Sequence, residues 1–216
     1  MAIEPKTQIE AAIKNASEKI ERMTQADHTQ LLKEHLDISI EIQKELTPLL
    51  NNLTRDEERN GQIVKVVRSN RTHEEWEAVF SVVNMASGPI LQLICDGLYL
   101  QAYCIVRQAL EGIAQLHHIR QGTRQITKAP QINHLDEALR RLYPPLSQGA
   151  HIATHDAAQM QAPTANGMES TLAFLPHGIS LIPCYSPELS GDLLEIHLEL
   201  RRLLLSHLQE HGNNLS

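Results

Sequence analysis

Arg107 and Glu111 stand four residues apart inside "QAYCIVRQALEGIAQLHHI", one of the most apolar stretches of the chain. A guanidinium and a carboxylate one helical turn apart can form an ion pair, or present a cation and a general base to a substrate. At about 100° per residue, Gln101, Arg107, Gln108, Glu111, Gln115 and His118 share about one third of a helix circumference. Ile105, Val106, Ala109, Leu110, Ile113 and Leu116 fill the opposite side. The pair therefore belongs to an orderly polar face and acquires chemistry only if another element covers that face.

The element expected to do so is "YPPLSQGAHIATHDAAQM". Read as a helix, it carries Ser147, His151, Thr154 and His155 on one face, with Gly149, Ala150, Ala153 and Ala157 over much of the rest. Small residues let another backbone approach closely, which places this helix inside a bundle. A histidine there needs a hydrogen-bond partner, and Arg107, Glu111 or Tyr103 could provide one. The expected pocket thus draws on Tyr103, Arg107, Glu111, Ser147, His151 and His155, with Arg107, Glu111 and His151 as candidate catalytic groups.

His151 and His155 are also the candidate metal ligands, since two rings four residues apart can point the same way. Zinc would need a third ligand such as Glu111, and HxxxH without HExxH is a bare signal. No metal and no cofactor is expected. His117 and His118, being adjacent, point in different directions. No G-x-S-x-G elbow supports Ser147 as a nucleophile, although Cys184 near His177 offers a reachable thiol. No glycine loop of the P-loop or dinucleotide-binding kind is present.

Ala102, Tyr103, Arg107, Leu110 and Glu111 spell "AYxxxRxxLE", and Tyr143, Ser147 and His151 follow later. Over about the central third of the chain these elements resemble a family of uncharacterised all-helical bacterial proteins, distantly similar to HEPN-type helical bundles. Some HEPN-type proteins are RNases or toxin-system partners with an Arg-x4-6-His motif, so the resemblance implies a helical fold and, through that motif, RNA processing. Here Arg107 is too far from His117, and Arg141 too far from His151, to form the motif. Arg68 and His73 do have four residues between them, "RSNRTH", at an expected helix junction.

These residues must be positioned by a scaffold of 216 residues with 42% apolar, 21% charged and only 3% aromatic side chains. A core of Leu, Ile, Val and Ala suits packed helices. Pro5 marks a helix start, and Ile9, Ala12, Ile13, Ala16 and Ile20 follow at helical spacing. Leu31, Leu32, Leu36, Ile40, Leu46, Leu49, Leu50 and Leu53 continue it, with Pro48 expected to bend or break the helix. "TRDEERNGQIV" reads as a separator in which Gly61 is a helix stop or hinge. Thr72 and Glu75 have capping-box spacing, ahead of a helix kinked at Pro89.

After the loop "RQGTRQITKAPQIN", Asn133 is the expected N-cap of "HLDEALRRLY", and Pro144 and Pro145 are expected to open a separate helix reaching about Met160. "QAPTANGMESTLAFLPHGISLIPCYSPELSG" changes character and is either a β-hairpin or a lid-like loop. Leu193, Leu194, Ile196, Leu200, Leu203, Leu204 and Leu208 then mark a strongly amphipathic last helix. The expected fold is an all-α, multi-helix bundle in a single domain spanning residues 1–216. Within it lie N-terminal helices (1–60), central helices (72–160), an irregular or β-hairpin insertion (161–187) and a C-terminal helix (188–212).

The net charge of -7 disfavours a broad nucleic-acid surface, although Arg120, Arg124, Lys128, Arg140 and Arg141 form a local basic group. Cys95, Cys104 and Cys184 are odd in number and form no CxxC pair, so Cys95 and Cys104 read as reduced core residues. The first residues lack a signal-peptide core and no run reads as membrane-spanning, pointing to the cytoplasm. The leading functional expectation is a dimeric or partner-binding helical module. The alternatives are a HEPN-like hydrolase or RNA-processing enzyme around Arg107, Glu111 and His151, and a small-ligand sensor closed by residues 161–187.

Overall fold

A computed structural model describes residues 5–67, 71–124, 128–133, 135, 137–150, 172–175, 178–181 and 185–213. It is an all-α bundle built from α1 (Pro5–Asp27), α2 (Thr29–Leu53), α3 (Arg71–Met85), α4 (Ser87–Cys95), α5 (Tyr99–Arg120), α6 (Glu137–Ala150) and α7 (Pro187–Asn213). Two small antiparallel hairpins interrupt it, β1 (Thr54–Arg59) with β2 (Gln62–Val67) and β3 (Leu172–Leu175) with β4 (Gly178–Leu181).

α5 and α7 form the centre. α5 packs on α3, α4, α6 and α7, while α2 lies mainly along α7. The apolar face read from α5 is the buried one: Val106, Ala109, Leu110, Ile113 and Leu116 are all buried. α7 behaves likewise, with Leu193, Leu194, Leu200, Leu204 and Leu208 inside and Ile196 and Leu203 partly buried. Burying a leucine fully is worth about 1.5–3 kcal/mol, so these two stripes decide which faces turn inward. Gly112 permits the close approach of α3 to α5. A Cβ there would lie 2.3 Å from Val83 Cγ2.

The N-terminal end of α7 is pinned by hydroxyls and a histidine. Tyr185 donates to Asp27 Oδ2 at 2.6 Å, Ser186 N–H donates to the Tyr99 hydroxyl at 3.1 Å, and His28 Nε2 lies 2.8 Å from Ser190 Oγ. These bonds tie the α1–α2 corner and the start of α5 to α7.

Several expectations are corrected. "TRDEERNGQIV" is not a helix-to-helix separator but the heart of a hairpin, paired from Thr54↔Val67 to Arg59↔Gln62. Asn60 (φ 54°) and Gly61 (φ 74°) form its two-residue turn, as Asn-Gly does where both central residues need positive φ. Pro48 lies inside α2, which runs on to Leu53, so of the bend or break expected there no break occurs. Leu36 and Ile40 are 61% and 44% exposed, while Ile42 and His35 are buried in their place.

Asn133 is not an N-cap, since α6 begins at Glu137 after a turn in which Leu135 N–H donates to Ile132 O. α6 then runs unbroken through Pro144 and Pro145. Leu146, fully buried, and Tyr143, bonded to α5, lie on either side and hold the helical path despite the missing donors. The segment before α7 forms a hairpin, paired from Leu172↔Leu181 to Leu175↔Gly178. The stretch Thr72–Cys95, spanning α3 and α4, is by length and composition alone sufficient to cross a membrane, contrary to the sequence reading. Phe80, Val83, Ile90 and Ile94 from this stretch lie in the bundle core.

Candidate functional site

α6 packs on α5, and the residue that it brings to the polar face of α5 is Tyr143. Arg107 Nε donates to Glu111 Oε1 at 3.1 Å, and the Tyr143 hydroxyl donates to the same oxygen at 2.9 Å. An Arg107 terminal nitrogen donates to the Tyr143 hydroxyl at 3.4 Å, with the guanidinium carbon 5.5 Å from the ring centroid. The Tyr143 hydroxyl bond, with the Glu111 carboxylate behind it, holds the Arg107 pKa above its ordinary value. The triangle is a charge-assisted clamp between helices: the carboxylate oxygen already receives two donors, and the phenol is spent on it. Arg107 and Glu111 side chains stay about a quarter exposed, at 25% and 26%.

Of the other expected pocket residues, Tyr103 is buried in the core cluster, where loss of solvent raises its pKa. Ser147 is half-buried on α6, one turn beyond Tyr143. His151 and His155 lie outside the described residues, as do Arg68, His177 and Cys184. Among the described residues, no group of three His, Cys, Asp or Glu side chains is arranged to hold a metal ion. His118 pins a loop instead, with Nδ1 2.8 Å from Thr123 Oγ1 and Nε2 2.9 Å from the Gln131 carbonyl. His117 stands edge-on to it.

Three members of the basic group are engaged in ion pairs. Arg120 pairs with Glu210, Arg124 with Glu75 at 2.7 Å, and Arg141 with Glu137. Cys95 has its thiol pKa pushed up to about 11 by burial and by Glu21 and Asp96, so it stays protonated and unreactive.

Two histidine clusters were not legible in the sequence. In the first, His73 Nδ1 lies 2.8 Å from His211 Nε2, joining the start of α3 to the end of α7. The His211 ring also stacks on Trp76 at 3.9 Å, and Trp76 stacks on Phe80 at 4.9 Å. Burial, then the neighbouring His73 and Arg120, lower His211 to about 4, so it is neutral at pH 7. His73, Trp76 and Phe80 line a cleft of about 200 Å³ between α2 and α3, bordered by Leu46, Leu49, Glu77, Ser81, Asn84 and Met85.

In the second cluster, His35 on α2 stacks on His197 of α7 at 4.8 Å and donates through Nε2 to the Leu194 carbonyl at 3.0 Å. Arg201, one turn beyond His197 and only 5% exposed, reaches both flanking helices. It donates to Asn84 Oδ1 at 2.6 Å and to Ser39 Oγ at 3.3 Å. Burial lowers its pKa to about 10, which leaves it charged at pH 7 among neutral acceptors. Only the spacing of His197 and Arg201, four residues apart on the last helix, hinted at this cluster. Nothing in the sequence marked α2 and α3 as its other walls.

Compared with known proteins, the chain matches no family model, no curated protein and no solved structure.

Proposed function

We propose that this protein is a self-associating helical module whose dimer forms across the outer face of α3 and α4. The observation that carries this reading is a run of 18 residues, Ala78 to Cys95, without one charged side chain. The core takes Phe80, Val83, Ile90 and Ile94 from it. Ala78, Val82, Met85 and Pro89 form an outward stripe, in which Val82 is 69% and Met85 75% exposed. Only 28% of the most apolar part of Thr72–Cys95 is buried within the chain. A contiguous apolar stripe of this kind on a globular protein marks an interaction surface.

Charge placement favours a second copy as the occupant. No Lys or Arg occurs from Thr72 to Val106, and the acids Glu74, Glu75 and Glu77 gather at the start of α3. Parallel pairing would bring the two acidic ends together. A two-fold antiparallel pairing separates them by on the order of 25 Å along the helices and sets each stripe against its own copy. Exposed Gly88 and Ala78 admit close backbone approach. The alternative of a HEPN-like hydrolytic or RNA-processing pocket has less support, because Arg107 and Glu111 are already engaged by Tyr143.

Sedimentation equilibrium tests the reading. The wild type should be a dimer, while Val82→Glu and Met85→Glu should be monomers with unchanged helical circular dichroism. A monomeric wild type, a dimer surviving both substitutions, or a monomer that partitions onto lipid vesicles would overturn it.

A further inference from the structure

The cleft between α2 and α3 adjoins the dimer stripe, and Met85 borders both. At about 200 Å³ it is smaller than the ~300–1,000 Å³ typical of drug-sized sites, so it suits a small molecule rather than a peptide helix. Leu46 and Leu49 form one wall, Trp76 and Phe80 the other. Two aromatic rings at a wall favour a planar or cationic guest.

The polar groups in this cleft are few, and each selects for something. Among the described lining residues, Glu77 is the only Asp, Glu, Lys or Arg. Its carboxylate lies 3.9 Å from His73 Nε2, and the next ring along, His211, is neutral at pH 7 because its pKa is about 4. The negative charge therefore faces no Lys or Arg among the described lining residues. Asn84 has its carbonyl oxygen taken by Arg201 at 2.6 Å, so its remaining offer is an amide donor. Trp76 is 2% exposed and its indole Nε1–H is sealed from the cleft, so the ring borders the site as an apolar wall.

We propose that this cleft binds a small organic ammonium compound. Its apolar or aromatic body lies between Leu46 and Leu49 on one side and Trp76 and Phe80 on the other. Its ammonium group meets the Glu77 carboxylate. An uncharged isostere forfeits the ion pair, and an anionic one meets Glu77 with like charge.

Trp76 is the only tryptophan in the chain, so intrinsic fluorescence reads this site directly. The full chain at neutral pH should be titrated with 4-methoxybenzylamine, 4-methoxybenzyl alcohol and 4-methoxybenzoate under tryptophan-selective excitation. The amine should give a saturable change, the alcohol should bind about tenfold more weakly, a difference of roughly 1.4 kcal/mol, and the benzoate should not bind. Glu77→Gln should erase the preference for amine over alcohol, and Glu77→Asp, which keeps the charge, should retain it. No saturable change with the amine, equal binding of amine and alcohol, or an amine preference that survives Glu77→Gln would overturn the proposal.

Discussion

The Tyr143 hydroxyl crosses from α6 to donate to Glu111 on α5 at 2.9 Å. It accepts from Arg107 in the same geometry. One phenol thus converts an i,i+4 pair on a helix surface into a three-sided tie between two helices. Tyr143→Phe should keep the ring over the guanidinium but remove the hydroxyl. We expect a loss of about 1 kcal/mol, the net worth of a partly exposed hydrogen bond to a charged group, read from the urea midpoint. Arg107→Ala in the Tyr143→Phe background should cost less than in the wild type, because the two share one network.

Gly112→Ala should destabilise despite the higher helix propensity of alanine. The added methyl would sit 2.3 Å from Val83 Cγ2, and overpacking of this kind costs about 1–3 kcal/mol. Thermal denaturation of Gly112→Ala alone and with Val83→Ala checks it. The double variant should recover part of the loss if the clash is the cause.

Arg201 should be far less tolerant than its position in a leucine-rich stretch suggests. Arg201→Ala leaves Asn84 Oδ1 and Ser39 Oγ without their donor and opens a cavity, a combined cost of about 3 kcal/mol. Arg201→Lys should also destabilise, since one ammonium cannot span α2 and α3 as the planar fork does. Hydrogen exchange should show α2 losing protection first in both variants.

Stability should fall as the pH drops below about 6.5. His197 is held well below the ordinary histidine value by burial, then by His35 and Arg201. Burial also lowers His35, with Arg201 and Arg202 adding to this and the Leu194 carbonyl and Glu34 opposing it. His211 sits at about 4. The unfolded chain takes up protons near 6.5 while the folded chain refuses them, so each step down in pH favours unfolding. The loss starts below about 6.5 and, for His211, runs to about pH 4. Urea midpoints between about pH 7 and about pH 5 should show the decline, and His197→Leu should flatten it.

Helical periodicity on α5 and α7 was legible because both helices keep one apolar stripe along their whole length. α2 was only half legible. Leu36 and Ile40 continue the pattern, yet the helix rotates to bury His35 against His197, so two apolar side chains face outward. The first hairpin escaped because "TRDEER" has poor strand propensity, although Asn60-Gly61 carried the turn signal. Pro144 and Pro145 misled in the other direction, since backbone chemistry alone calls for a break that packing of Leu146 and the Tyr143 tie override.

Sequence alone therefore settled what local chemistry settles: an apolar, aromatic-poor chain with helical spacing must bury its leucine stripes as an all-α bundle. The tertiary structure decided which polar residues meet. Tyr143 with Glu111, His73 with His211, and Arg201 with Ser39 and Asn84 are 32, 138, 162 and 117 residues apart along the chain. No periodicity encodes such pairings. They follow from the angle at which each buried stripe sets its helix, which decides the face left over for polar contact.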